Sequence, residues 1–116
     1  MFRVILMFSL FLSVDAFSAA YTGKVDKIIL HADEWNVYNP NDTGILSLYL
    51  VGMPKSCGSD DGLGRVVITS DHPLFQSVIS LALTAKISDK NLTVHYLDTC
   101  KTRSQAWDFG LVTFSE

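Results

Sequence analysis

Two rhythms of hydrophobic and polar residues alternate along this chain, one of period two and one of period three to four. GKVDKIILHADEWNVY (23–38) is rich in β-branched and aromatic residues and alternates loosely from Val25 to His31, which predicts a long first strand. In ILSLYLVGM (45–53), Leu46, Leu48 and Leu50 share one face, and Ile45, Ser47, Tyr49 and Val51 share the other. That second strand is expected to be buried on one side and partly covered on the other. RVVITS (65–70) is a short β-branched run and predicts a third strand. The period then changes. Leu74, Val78, Leu81, Ala82 and Ala85 recur at helical spacing, widened by Phe75 and Ile79, and Pro73 suits a first turn capped by Asp71 or His72. Alternation returns in LTVHYLDTC (92–100), with Leu92, Val94 and Tyr96 opposite Thr93, His95 and Leu97. In AWDFGLVTF (106–114), Trp107, Phe109 and Leu111 alternate with Asp108, Gly110 and Val112, and the mid-strand glycine marks a bulge or bend.

The connections agree with this parsing. NPNDTG (39–44) is turn chemistry throughout. KSCGSDDGLGR (55–65) has the glycines and acids of a ligand-cradling loop, but its two acids are adjacent with no later glutamate, unlike an EF-hand. No lysine and hydroxyl follow its last glycine, as a phosphate loop requires. It reads as a flexible connection that carries Cys57. The resulting order, strand, strand, strand, helix, strand, strand, is that of a mainly β protein: a five-stranded OB-fold barrel with one helix, or alternatively a five-stranded sheet with one helix packed on it.

The first twenty residues, MFRVILMFSLFLSVDAFSAA, have the shape of a secretory leader: one arginine, an apolar run over 4–14, then small residues. Cleavage after Ala20 fits best, and cleavage after Ala16 is the alternative. The apolar run has about half the roughly 20 residues of a membrane span, so no span is expected after cleavage and the product is secreted or periplasmic. Residues 21–116 then form one small domain. The leader holds one basic and one acidic residue, Arg3 and Asp15, so the domain keeps the whole-chain net charge of −3. With no Lys/Arg cluster, nucleic acid is not expected as a partner. The only two cysteines, Cys57 and Cys100, are 43 residues apart, and in an oxidising compartment they are expected to pair. A loop of that size corresponds to about 4 kcal/mol of chain-entropy stabilisation.

A YTG start, CG after the second strand, a helix ending LALTAKISDK and a cysteine closing the fourth strand give the chain a resemblance. It resembles small exported bacterial OB-fold proteins, among them the B subunits of AB5 toxins of the pertussis and subtilase cytotoxin type. The resemblance implies a ring-forming, glycan-binding module without catalysis and assigns no residue to a sugar site.

Read bottom-up, an OB-fold presents ligands between the loop joining strands one and two and the loop joining strands four and five. Those loops supply Trp35, Tyr38, Asn39 and Asn41 on one side and Arg103 and Gln105 on the other. Aromatic faces with amide partners suit a neutral sugar, whose C–H face stacks while its hydroxyls are hydrogen-bonded. The competing reading has Trp35 closing the barrel and the asparagines merely turning the chain, and an exposed patch of this kind also suits a protein receptor or a homo-oligomer interface. No catalytic residues, cofactor or metal site are expected. His31, His72 and His95 are dispersed, and no G-x-S-x-G or H-E-x-x-H motif is present. Two Asn-x-Thr sequons begin at Asn41 and Asn91 and bear on glycosylation only in a eukaryotic source.

Overall fold

The computed structural model describes residues 18–58 and 63–114. It contains five strands in one sheet and a single α-helix: β1 Ser18–Ala32, β2 Gly44–Leu50, β3 Arg65–Thr69, α1 Phe75–Ile87, β4 Asn91–Leu97 and β5 Trp107–Phe114. The leader expectation falls largely on residues outside those described. Ser18, Ala19 and Ala20, however, already pair with Leu97, Tyr96 and His95 of β4, so a cut after Ala20 would remove three rungs that a cut after Ala16 leaves in place.

β1 starts earlier and stops sooner than its hydrophobic pattern suggests, because two partners divide it. Its first half pairs antiparallel with β4 from Ser18↔Leu97 to Lys24↔Asn91. Its second half pairs antiparallel with β2 from Val25↔Leu50 to Ala32↔Gly44, with a register shift between Val25 and Lys27. The shift bends the strand away from one neighbour and onto the other. Beyond Ala32 the chain turns, so Trp35 and Tyr38 belong to a loop. β2 pairs with β3, β3 runs parallel to β5 at Val66↔Trp107 and Val67↔Asp108, and β5 pairs with β4. The hydrogen-bonded order β1-β2-β3-β5-β4 therefore closes on itself.

The period-two pattern reports the faces correctly for β2 and β4. Leu46, Leu48 and Leu50 join Leu92, Val94 and Tyr96 in one core, to which α1 contributes Phe75, Val78, Ala82 and Ala85. On the other face of β2, Ile45 and Ser47 are also buried. β2 ends at Leu50 rather than running on to Met53, because Val51 and Gly52 form a turn closed by the Met53 N–H on the Leu50 carbonyl. Gly52 has φ +80° there, and the Tyr21 hydroxyl that donates to the Val51 carbonyl lies where a Cβ would stand.

Two details depart from the sequence reading. The helix begins at Phe75 with Leu74 as its N-cap, and neither Asp71 nor His72 fills that position. Asp71 instead accepts the Thr69 hydroxyl, while His72 Nδ1 accepts the Leu74 N–H at 3.1 Å. In β5 the alternation inverts at Gly110. Tyr96 faces Phe109 but His95 faces Leu111, so one residue is extra on β5. Trp107 and Phe109 point inward before the bulge and Val112 packs on the core after it, which turns Leu111 out to 45% exposure.

The expected disulfide, Cys57–Cys100, is formed. It ties the short 3-10 turn Ser56–Gly58 to the segment after β4. Trp107 reinforces the same link, because its indole N–H donates to the Pro54 carbonyl at 3.1 Å.

A Cβ at Gly110 would lie 2.6 Å from the His95 carbonyl oxygen. Gly110→Ala should therefore cost about 1–3 kcal/mol, seen as a lower urea midpoint at unchanged m. Replacing both Cys57 and Cys100 by serine should lower the unfolding free energy by up to about 4 kcal/mol, with no further loss when a reductant is added.

Candidate binding site

Two loops meet at one end of the closed sheet. The β1–β2 loop, residues 33–43, is built from short-range hydrogen bonds. The Asp33 N–H donates to the Thr43 carbonyl, the Glu34 N–H to Asp42 Oδ2, and the Asn41 N–H to Asn39 Oδ1. Asn39 thus spends its side-chain oxygen on the turn, as its residue type favours. Trp35 and Tyr38 take no part in this framework and stand out from it, 69% and 89% exposed, with Val37 between them at 59%. The reading in which Trp35 closes the sheet is set aside: its ring is on the surface.

The β4–β5 loop, residues 98–106, folds back over the outer face of β2 and β3. Ala106 packs against Ile45 and Val67 in a second, smaller apolar cluster. Arg65 clamps the loop from β3, its Nε donating to the Gln105 carbonyl at 3.1 Å and its Nη2 to the Ser104 carbonyl at 3.3 Å. Gln105 accordingly acts through its backbone, held at φ +61°. Arg103 reaches across to the other loop, where its guanidinium meets Asp33 Oδ1 at 2.8 Å and the Asp33 carbonyl at 3.3 Å. An ion pair this exposed contributes about 0–1 kcal/mol, so its consequence is position more than stability. The structure therefore joins the two loops singled out in the sequence through Arg103, while Gln105 is held to β3 by Arg65.

Asp108 organises the rest of this loop. The Thr99 hydroxyl donates to Asp108 Oδ2 at 2.5 Å, the Lys101 N–H donates to Oδ2 at 2.9 Å, and the Thr102 N–H donates to Oδ1 at 3.0 Å. Burial alone would push this carboxyl up, but the donors from Thr99, Lys101 and Thr102 outweigh it and hold it below the usual carboxylate range. Only 7% of the residue is exposed.

Beside Asp108 lies a cleft of about 520 Å³. Val67, Ile68, Leu97 and Phe109 form its apolar walls. Thr69, His72, Asp98 and Thr99 supply polar edges, together with Lys101, Thr102 and Asp108 itself. His72 stands edge-on to the Phe109 ring at 5.5 Å between centroids, which fixes that corner. The sequence reading missed this cleft. Its one available signal was the run of polar residues in 98–105 returning to an aspartate on the polar face of β5, and a wrapped loop cannot be read from periodicity. Along the outer face of the neighbouring strands, Lys27 lies 4.7 Å over the Tyr49 ring and the Arg65 guanidinium is 5.9 Å from it.

Among the described residues, no group of three or more His, Cys, Asp or Glu is placed to hold a metal ion, and no helix is long and apolar enough to cross a membrane. Compared with known proteins, the chain matches no family model, no curated protein and no solved structure.

Because Asp108 titrates below its unfolded-state value of roughly 4, it stabilises the fold above that pH, and this contribution is lost as the pH falls through the folded-state value. Urea midpoints between pH 6 and pH 3 should fall more steeply for the wild type than for Asp108→Asn. At neutral pH the same variant should be less stable by about 1–3 kcal/mol, because an amide cannot satisfy donors arranged for a carboxylate.

Proposed function

We propose that this chain is an exported, non-catalytic binding module on an OB-fold barrel, and that it recognises a neutral glycan of a receptor through the loop bearing Trp35 and Tyr38. The fold part of the reading is supported by the closed order β1-β2-β3-β5-β4, by the parallel pairing of β3 with β5, and by the position of α1 between β3 and β4. Export is supported by the leader-like first twenty residues and by the disulfide. The resemblance to AB5 toxin B subunits adds a ring-shaped homo-oligomer.

The observation that carries the reading is the pair of uncovered aromatic rings at 35 and 38, close in sequence to Asn39 and Asn41, on a loop whose first residue, Asp33, is held by Arg103. Large aromatic surface left in water costs free energy unless something covers it. Rigid support underneath lowers the entropy lost when a ligand does so. A second reading, recognition of another envelope protein, is favoured by the aliphatic residues nearby: Leu30 and Val37 are 56% and 59% exposed, and aromatic and aliphatic anchors together are what protein interfaces use.

A glycan array probed with folded, size-checked protein tests this. Trp35→Ala and Tyr38→Ala should each abolish the signal while shifting stability by no more than about 0.5 kcal/mol, as exposed positions do. Arg103→Ala should weaken binding with an equally small stability change. A native mass of several subunits supports the ring, a monomer supports the second reading, and an array with no signal for the folded wild type sinks the glycan assignment.

A further inference from the structure

We propose that the cleft between β3 and the β4–β5 loop is a binding site for a small amine with an apolar body, its ammonium directed to the Asp98 and Asp108 side and its hydrocarbon to Phe109, Leu97 and Val67. This site is separate from the exposed aromatic loop, and the proposal does not rest on the glycan reading.

Three observations carry it. The volume, about 520 Å³, is within the range of small-molecule sites. The walls are of two kinds, an apolar side and a polar side with a buried carboxylate, which suits a molecule with one apolar and one charged end. Finally, every group bonded to Asp108 is a neutral donor, a hydroxyl or a backbone N–H of Thr99, Lys101 or Thr102. No described salt bridge reaches it. A buried anion without a counter-charge is stabilised by any cation brought close, and its field is less screened than that of surface charges.

The charged residues around the cleft are Asp98, Asp108 and Lys101, a formal balance of −1. Lys101 and Asp98 are both exposed, so water screens both and their charges offset, whereas Asp108 is buried. The net preference is for positive charge. A bare metal ion is a poorer occupant, because most of the lining surface is hydrocarbon and Asp108 already accepts three hydrogen bonds. A carboxylate ligand would meet two like charges.

The test is a two-dimensional amide NMR titration of the disulfide-intact chain with three matched probes: benzylamine, benzyl alcohol and benzoate. Benzylamine should give saturable shifts at Val67, Thr99 and Phe109, binding at least fivefold more tightly than benzyl alcohol, with benzoate giving none. Asp108→Asn should reduce the affinity for benzylamine at least fivefold more than that for benzyl alcohol, whose remaining shifts at Val67 and Phe109 report that the cleft is intact. If that variant does not fold, Asp98→Asn and Leu97→Trp, both at exposed positions, take its place. The first should weaken the amine several-fold and the second should block benzylamine and benzyl alcohol alike. Equal binding of benzyl alcohol or benzoate, shifts centred away from the cleft, no benzylamine binding, or amine binding untouched by the substitutions would each overturn the proposal.

Discussion

Everything in this structure depends on β1 serving two ladders at once. A strand cannot stay straight and pair with β4 along 18–24 and β2 along 25–32, so the register shift between Val25 and Lys27 is the point where the sheet is made to close. Closure removes the free edges that a small five-stranded sheet would otherwise expose. It also creates an inside, which α1 helps to fill through Phe75, Val78, Ala82 and Ala85. In a chain this short the core is modest. The Cys57–Cys100 link and the Trp107 to Pro54 hydrogen bond add to it at the β2–β3 connection, where Met53 is the residue that joins the core.

A consequence of closure is that one outward face still has to be managed. Ile45, Ser47 and Val67 lie on the outside of β2 and β3, yet all three are buried, because the β4–β5 loop lies across them. A loop placed there carries backbone groups that need partners. Asp108 supplies some of these partners from within, and Arg65 supplies others from the strand beneath. The cleft beside Asp108 follows from the same arrangement, since a loop pinned at Thr99–Thr102 and again at Ser104–Ala106 leaves a gap over Leu97 and Phe109.

How much of this was legible in the sequence follows from range. Period-two alternation is local, so it correctly placed Leu46, Leu48 and Leu50 inward, gave the order of five strands and one helix, and allowed for the buried outer face of β2. Compartment reasoning paired the cysteines. Gly110 was read as a bulge, but the inversion it causes, which sends Leu111 out and Val112 in, depends on register with β4 and is invisible in β5 alone. The N-cap falls to Leu74 because Asp71, a good cap by type, accepts the Thr69 hydroxyl instead, and His72 accepts the Leu74 N–H ahead of the helix. In the candidate site, composition found the exposed Trp35 and Tyr38. It gave no hint that Arg103 bridges to Asp33, that the Gln105 carbonyl is held by Arg65, or that a cleft lies beside Asp108, because each depends on contacts distant in sequence.

Those long-range contacts share one property that bears on function. Arg103 to Asp33, Arg65 to Gln105 and Cys57 to Cys100 each join a loop to something distant in sequence, and none is needed to build the sheet itself. An exposed ion pair adds at most about 1 kcal/mol, so stability is a weak reason for the Arg103 bridge. Fixed geometry is a stronger one, because a loop that is already ordered loses less entropy when something binds to it. The β4–β5 loop both lines the cleft at Asp108 and, through Arg103, holds Asp33 at the start of the loop bearing the aromatic pair at 35 and 38, so contacts that fix that loop serve both places.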